Sequence, residues 1–147
     1  EASLLVSART TIPAPGGGSY GVSYPALAEA DLATNEAWLA GLAPSASVRS
    51  NLALLNPGSE PIVLRWTAFS GYWPSGPDQF RTDSVSLLPG EWKQVALPSI
   101  PFEQGIVVRV RRVSGAASFA AYGIVNDGTA PGIGTGDGTY IPMSGVR

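Results

Sequence analysis

The sequence predicts an all-β protein, an antiparallel β-sandwich of about eight to nine strands with at most one short helix. Three observations carry that expectation. Short apolar runs broken by Gly, Pro, Asn and Asp recur every ~8 to 12 residues, the spacing of sandwiches and barrels. Within several of these runs apolar and polar residues alternate with period two, as a strand with one buried face requires. Gly and Pro number 18 and 13 of 147 residues and charged residues make up only 14%, while the 44% of apolar residues argues against disorder. A chain of this length buries roughly two-thirds of its unfolded surface around one core without disulfides or metal, so a single domain over residues 1–147 is expected.

Strands are expected near residues 3–11, 19–24, 46–55, 61–69, 80–88, 91–97, 105–113, 117–126 and 138–142. In 61–69, Ile62, Leu64, Trp66 and Ala68 share the core face, and Arg65 and Thr67 lie opposite. In 105–113, Ile106, Val108 and Val110 oppose Val107, Arg109 and Arg111, and this guanidinium row, extended by Arg112, reads as a solvated strand face. In 46–55, Val48, Ser50, Leu52 and Leu54 lie opposite Arg49 and Asn51. Asn56-Pro57-Gly58-Ser59, Pro89-Gly90 and Ser114-Gly115 supply turn chemistry and read as antiparallel hairpin signals. Residues 29–42 allow two readings. Leu32, Glu36 and Leu39 fall on helical spacing, yet Thr34-Asn35-Glu36 makes an equally good turn and 37–42 an extended run closing on Pro44.

The two ends of the chain look alike. Residues 4–26 and 119–143 each contain an apolar run, a polar break, a Pro/Gly loop and a Ser/Thr-Tyr leading to Pro. Residues 1–27 are therefore either a hairpin related to 119–143, or the tail of a preceding module whose incomplete edge another chain or module completes by strand addition. The first residue is Glu1 rather than Met, which leads us to expect a processed or excised piece.

Composition removes several function classes. The chain has no His and no Cys, so Ser-His-Asp and Cys-His catalysis, thiol redox chemistry and the usual zinc, copper or haem sites are out. The net charge of −2 is spread without a basic patch, which gives nucleic acid no electrostatic footprint. No run approaches the ~18 apolar residues of a membrane span. The eleven acidic residues, among them Asp31, Glu36, Asp78, Asp83, Glu91 and Glu103, fall in no motif that would pair two carboxylates across a cleft.

Two loops of about ten residues, 70–79 and 126–137, are where a sandwich would carry binding. In the first, Tyr72 and Trp73 sit in a Pro/Gly frame that could present their rings to a sugar at low entropic cost. The competing reading folds Trp73 over the open end of the sandwich as a core lid. Trp38 and Trp92 carry the same two readings and complete the candidate ligand-binding set, whereas Trp66 reads as core. In the second loop, Asn126, Asp127 and Asp137 could offer oxygens to Ca²⁺, which wants six to eight. Two carboxylates are few for that, and Asn-Asp and Asp-Gly pairs are ordinary turn formers, so the turn reading is preferred and no cofactor is required.

The runs Val48-Arg49-Ser50-Asn51-Leu52-Ala53-Leu54-Leu55-Asn56, Leu88-Pro89-Gly90-Glu91-Trp92, Ala121-Tyr122-Gly123-Ile124-Val125-Asn126-Asp127 and Tyr140-Ile141-Pro142 resemble a recurrent module. It is the poorly characterised β-sandwich unit found, often in tandem, near the C-termini of large secreted or cell-surface bacterial proteins. The resemblance covers roughly residues 46–143 and implies an Ig-like or related topology and an extracellular or cell-surface location, with no active site to transfer. The function expected is a non-catalytic structural or adhesion module. A carbohydrate-binding module using the loop aromatics on polysaccharide is the second reading, and an extracellular hydrolase with paired carboxylates the third.

Overall fold

The computed structural model describes residues 6–70, 78–98, 105–128, 134–135 and 137–146. Eleven strands and one 3-10 turn account for its regular structure: β1 (Ser7–Pro13), β2 (Ser19–Pro25), the turn Glu29–Asp31, β3 (Glu36–Leu42), β4 (Val48–Leu55), β5 (Ile62–Ser70), β6 (Asp78–Leu87), β7 (Trp92–Ala96), β8 (Ile106–Ser114), β9 (Ala120–Asp127), β10 (Gly138–Pro142) and β11 (Ser144–Val146). Every pair of named strands is antiparallel. A four-stranded sheet in the order β10-β9-β4-β7 stacks on a five-stranded sheet in the order β11-β3-β8-β5-β6, while β1 and β2 form a hairpin of their own. The all-β sandwich is thus present, with about two strands more than the sequence pattern shows. No helix among the described residues is long and apolar enough to cross a membrane.

Alternation explains the core. Ile62, Leu64, Trp66 and Ala68 of β5 and Ile106, Val108 and Val110 of β8 meet Leu52, Leu54 and Ala121 of the opposite sheet, with Phe119 sealed among them. Apart from Ala121 and Phe119, these are residues that period two set together on one face of each strand. Burying each large side chain is worth roughly 1.5–3 kcal/mol, so this layer supplies most of the driving force.

Residues 29–42 resolve as the extended alternative, since β3 occupies their second half and only Glu29–Asp31 turns. The helical spacing of Leu32, Glu36 and Leu39 is coincidental, since Leu32 precedes β3, Glu36 faces outward beside Arg111 and Leu39 is buried in the core. The register of β3 against β8 shifts between Ala40 and Leu42, where Gly41 takes φ 93°. That inserted residue keeps both Leu39 and Leu42 fully buried although they stand three apart, a spacing a regular strand cannot bury on one side.

The turn residues mark bends at the right places, but they do not make hairpins. The connections β4–β5, β6–β7 and β8–β9, which hold Asn56-Pro57-Gly58-Ser59, Pro89-Gly90 and Ser114-Gly115, all carry the chain from one sheet to the other. Local turn chemistry sets a bend and not the identity of the next strand's partner. Asn56 shows what such a connection does instead. It is fully buried; its side-chain amide donates toward Glu60 O, Leu87 O and Leu88 O, and its Oδ1 accepts from Gly58 N–H. One side chain thereby ties the β4–β5 connection to the β6–β7 connection and fixes residues 57–60 at one end of the sandwich.

The hairpin β1–β2 packs on the outer side of the four-stranded sheet. Val22 is buried there against Gly138, and Gly21 N–H donates to Asp137 Oδ1 at 3.4 Å. β1 is exposed along its whole length and, among the described residues, pairs only with β2.

Candidate functional site

The outward positions of the four-stranded sheet bring three aromatic side chains together, and the hairpin adds a fourth. Tyr140 of β10 stands opposite Ile124, and Tyr122 of β9 opposite Pro142, so the two tyrosines are diagonal neighbours, within reach of long side chains. Their rings lie 5.4 Å apart at 30°. Trp92 of β7 stands opposite Leu55 and Tyr122 opposite Ala53, which puts indole and phenol diagonally across β4 with a small residue between. The Trp92 indole N–H donates to Tyr122 Oη at 2.9 Å. Tyr24 of the hairpin meets Tyr122 edge-on at 5.9 Å and Tyr140 at 6.1 Å.

Beside these rings runs an open groove of about 960 Å³. Tyr24, Tyr122 and Tyr140 line it together with Leu55 and Ala120. One wall is the segment 57–60 held by Asn56, and the other is 116–118, whose carbonyls at Ala116 and Ala117 accept from Arg112 Nη1. Arg112 therefore fastens a loop and reaches Asn35, and is no part of a solvated row. Glu29 and Glu60 are the charged residues of the lining, and no cation is among them. Burial pushes the Tyr122 phenol above its ordinary 10.0, partly offset by the Trp92 hydrogen bond and reinforced by Tyr24; burial also raises Tyr140, with Tyr122 adding to it. Both phenols are neutral hydrogen-bonding groups near pH 7.

The sequence candidates fare unequally. Trp92, 47% exposed, stands at the edge of this cluster. Trp38 is on the other sheet, half-buried, its indole N–H donating to Glu36 Oε1 at 2.7 Å and its ring stacked with Phe69 at 5.9 Å. Tyr72 and Trp73 lie outside the described residues. Asp127 Oδ2 accepts from both Thr135 N–H and Thr135 Oγ1, which hold its carboxyl below the usual range, and Asp137 Oδ1 accepts from Gly138 N–H. The carboxylate oxygens considered for Ca²⁺ are thus engaged by Thr135, Gly138 and Gly21, with Asn126 opposite Gly138 across the β9–β10 ladder. Among the described residues no three acidic side chains gather where a metal ion would sit. Glu91 is engaged by Leu88 N–H and Lys93, which lower its pKa, and Asp83 pairs with Arg81.

Sequence reasoning did not single out Tyr24, Tyr122 or Tyr140 as site residues, although the signal was present. Tyr24-Pro25 and Tyr140-Ile141-Pro142 are the ends of the two similar segments, and those segments fold as two hairpins whose tyrosines face each other.

No family model matches the chain, and no curated protein matches it. Among solved structures, a crystal structure of the Thermotoga maritima protein designated 1070 is similar, with a TM-score of 0.52 and 15% identity over 76% of this chain and 91% of that one. At that identity the likeness is one of fold.

Proposed function

We propose that the chain is a non-catalytic module of a secreted or cell-surface bacterial protein and adheres by holding a neutral polysaccharide in the groove beside Tyr24, Tyr122, Tyr140 and Trp92. The observation that supports this reading is the pair of tyrosine rings, near-parallel and 5.4 Å apart, lining an open groove with Trp92 hydrogen-bonded at its edge. Aromatic faces take the C–H faces of sugar rings, phenols and carboxylates take their hydroxyls, and rings held by a sheet lose little freedom on binding. The groove volume falls within the range of small-ligand clefts. Calorimetry against a panel of neutral polysaccharides tests it: binding that is lost in Tyr140→Ala supports the reading, and absence of heat across the panel removes it.

A second reading rests on β1. Its second edge, unpaired among the described residues and exposed from Ser7 to Pro13, has the geometry for strand addition by a neighbouring module or a second chain. Light scattering of the chain alone reads this out, since strand addition between copies gives a concentration-dependent dimer.

A further inference from the structure

We infer that the outer face of the five-stranded sheet is a second binding surface, for an acidic polysaccharide carrying uronate carboxylates. It is independent of the groove and lies on the other side of the sandwich. Two cross-strand rows define it. One runs Glu36, Arg111, Arg65, Ser84 and the other Trp38, Arg109, Thr67, Thr82. Arg65 and Arg111 are directly opposite on neighbouring strands, an arrangement of like charges that destabilises a sheet when nothing neutralises it. Glu36, the one carboxylate in the two rows, is fully engaged: Oε1 accepts from Trp38 and Oε2 from Arg111 at 3.3 Å. Three guanidinium groups thus share one carboxylate, in a chain whose net charge is −2.

Arg109 is placed in advance. Its guanidinium carbon lies over the rings of both Trp38 and Phe69, at 5.6 and 5.4 Å, and its Nε is buried without a hydrogen-bond partner. Neither Arg109 nor the exposed Arg65 has an ion-pair partner among the described residues. A planar guanidinium is matched by a planar carboxylate, which takes two parallel hydrogen bonds from it. Arg109 and Arg65 are diagonal neighbours on adjacent strands, roughly 7–8 Å apart, so the ligand needs carboxylates that recur along a chain. Trp38 and Phe69 hold the Arg109 guanidinium over their rings, and their remaining apolar surface lies beside it for the C–H groups of the sugar between two carboxylates, which an acidic peptide would not use.

Titration calorimetry of the chain with polygalacturonate tests the assignment, with poly-L-glutamate and dextran as comparison polymers. The expected result is binding to polygalacturonate that weakens as salt rises, at least tenfold weaker binding of poly-L-glutamate, and no binding of dextran at this face. Arg65→Gln, an exposed substitution that leaves the core intact, should weaken polygalacturonate binding at least tenfold, as should Arg109→Gln. Arg9→Gln removes the same charge from the hairpin and should change it less than twofold. Absence of binding, equal binding of poly-L-glutamate, or equal losses in Arg65→Gln and Arg9→Gln would each overturn the proposal.

Discussion

The outer faces of the two sheets are built on the same antiparallel ladder and differ in almost everything else. On the four-stranded sheet the outward residues include Tyr122, Tyr140 and Trp92, with Arg49 at one end, and the hairpin β1–β2 lies over part of them, so that even Ala53, Ala120 and Ile124, which point away from the core, are buried. On the five-stranded sheet the outward residues are arginines beside Trp38 and Phe69, and Arg65 and Arg111 remain exposed. A covered face gathers apolar rings because burial favours them. A bare face has to remain compatible with water, and long Arg side chains do that while their stems cover the strands beneath. Two sheets that share one core can therefore present an aromatic groove lined by two carboxylates on one side and a cationic surface on the other.

The comparison can be broken most directly at Gly138, where the hairpin meets the covered face. A Cβ there would lie 2.1 Å from Val22 Cγ2 and 2.9 Å from Asn126 Oδ1. Gly138→Ala should destabilise the chain by about 1–3 kcal/mol in urea unfolding and open the β1–β2 hairpin to protease first, because overpacking forces the two surfaces apart. The next effect is on binding. Trp92→Ala should weaken neutral-polysaccharide affinity about tenfold, near 1.4 kcal/mol, without altering acidic-polymer binding at the other face. Tyr122→Phe keeps the ring but removes the Trp92 acceptor and should cost about 1 kcal/mol or less in unfolding.

Alkaline titration sharpens the contrast further. Tyr122 and Tyr140 have phenol pKa values raised in the folded state, so the stability tied to their neutral forms is whole below 10.0 and is lost as pH rises through the raised values. Replacing both with Phe should flatten the alkaline fall of melting temperature. On the bare face, Arg111→Gln removes the Glu36 ion pair, in which the arginine side chain is 59% exposed, and should change unfolding free energy by no more than ~1 kcal/mol. Excess chelator should leave the melting temperature unchanged, since Asp127 and Asp137 already spend side-chain oxygens on Thr135, Gly138 and Gly21.

Much of this architecture was legible in local pattern. Period-two alternation placed Trp66, Leu64, Val108 and Val110 in the core correctly, because each strand needs only its own sequence to divide its two faces. The same rule faltered at β3, where the bulge at Gly41 breaks the alternation and leaves Leu39 and Leu42 both buried three residues apart. It also missed the three-residue β11, too short to show a period, which pairs with β3 in the sheet opposite β10. The candidate site was less legible. Trp92 attracted notice as a tryptophan, while Tyr24, Tyr122 and Tyr140 looked like strand residues until register and hairpin docking set them side by side.

The sequence by itself determined that the chain is all-β, which residues face inward along most strands, where the chain bends, and that its ends share a pattern. Those properties depend on side-chain chemistry over a few residues. Only the tertiary structure decided which strands pair, that the turns lead across the sandwich, that the first hairpin packs on one sheet and not on the other, and hence that tyrosines meet on one side and three arginines on the other. Pairing across tens of residues is chosen by the packing of the whole, where hydrogen bonds of any two strands are nearly alike and the burial of their faces differs.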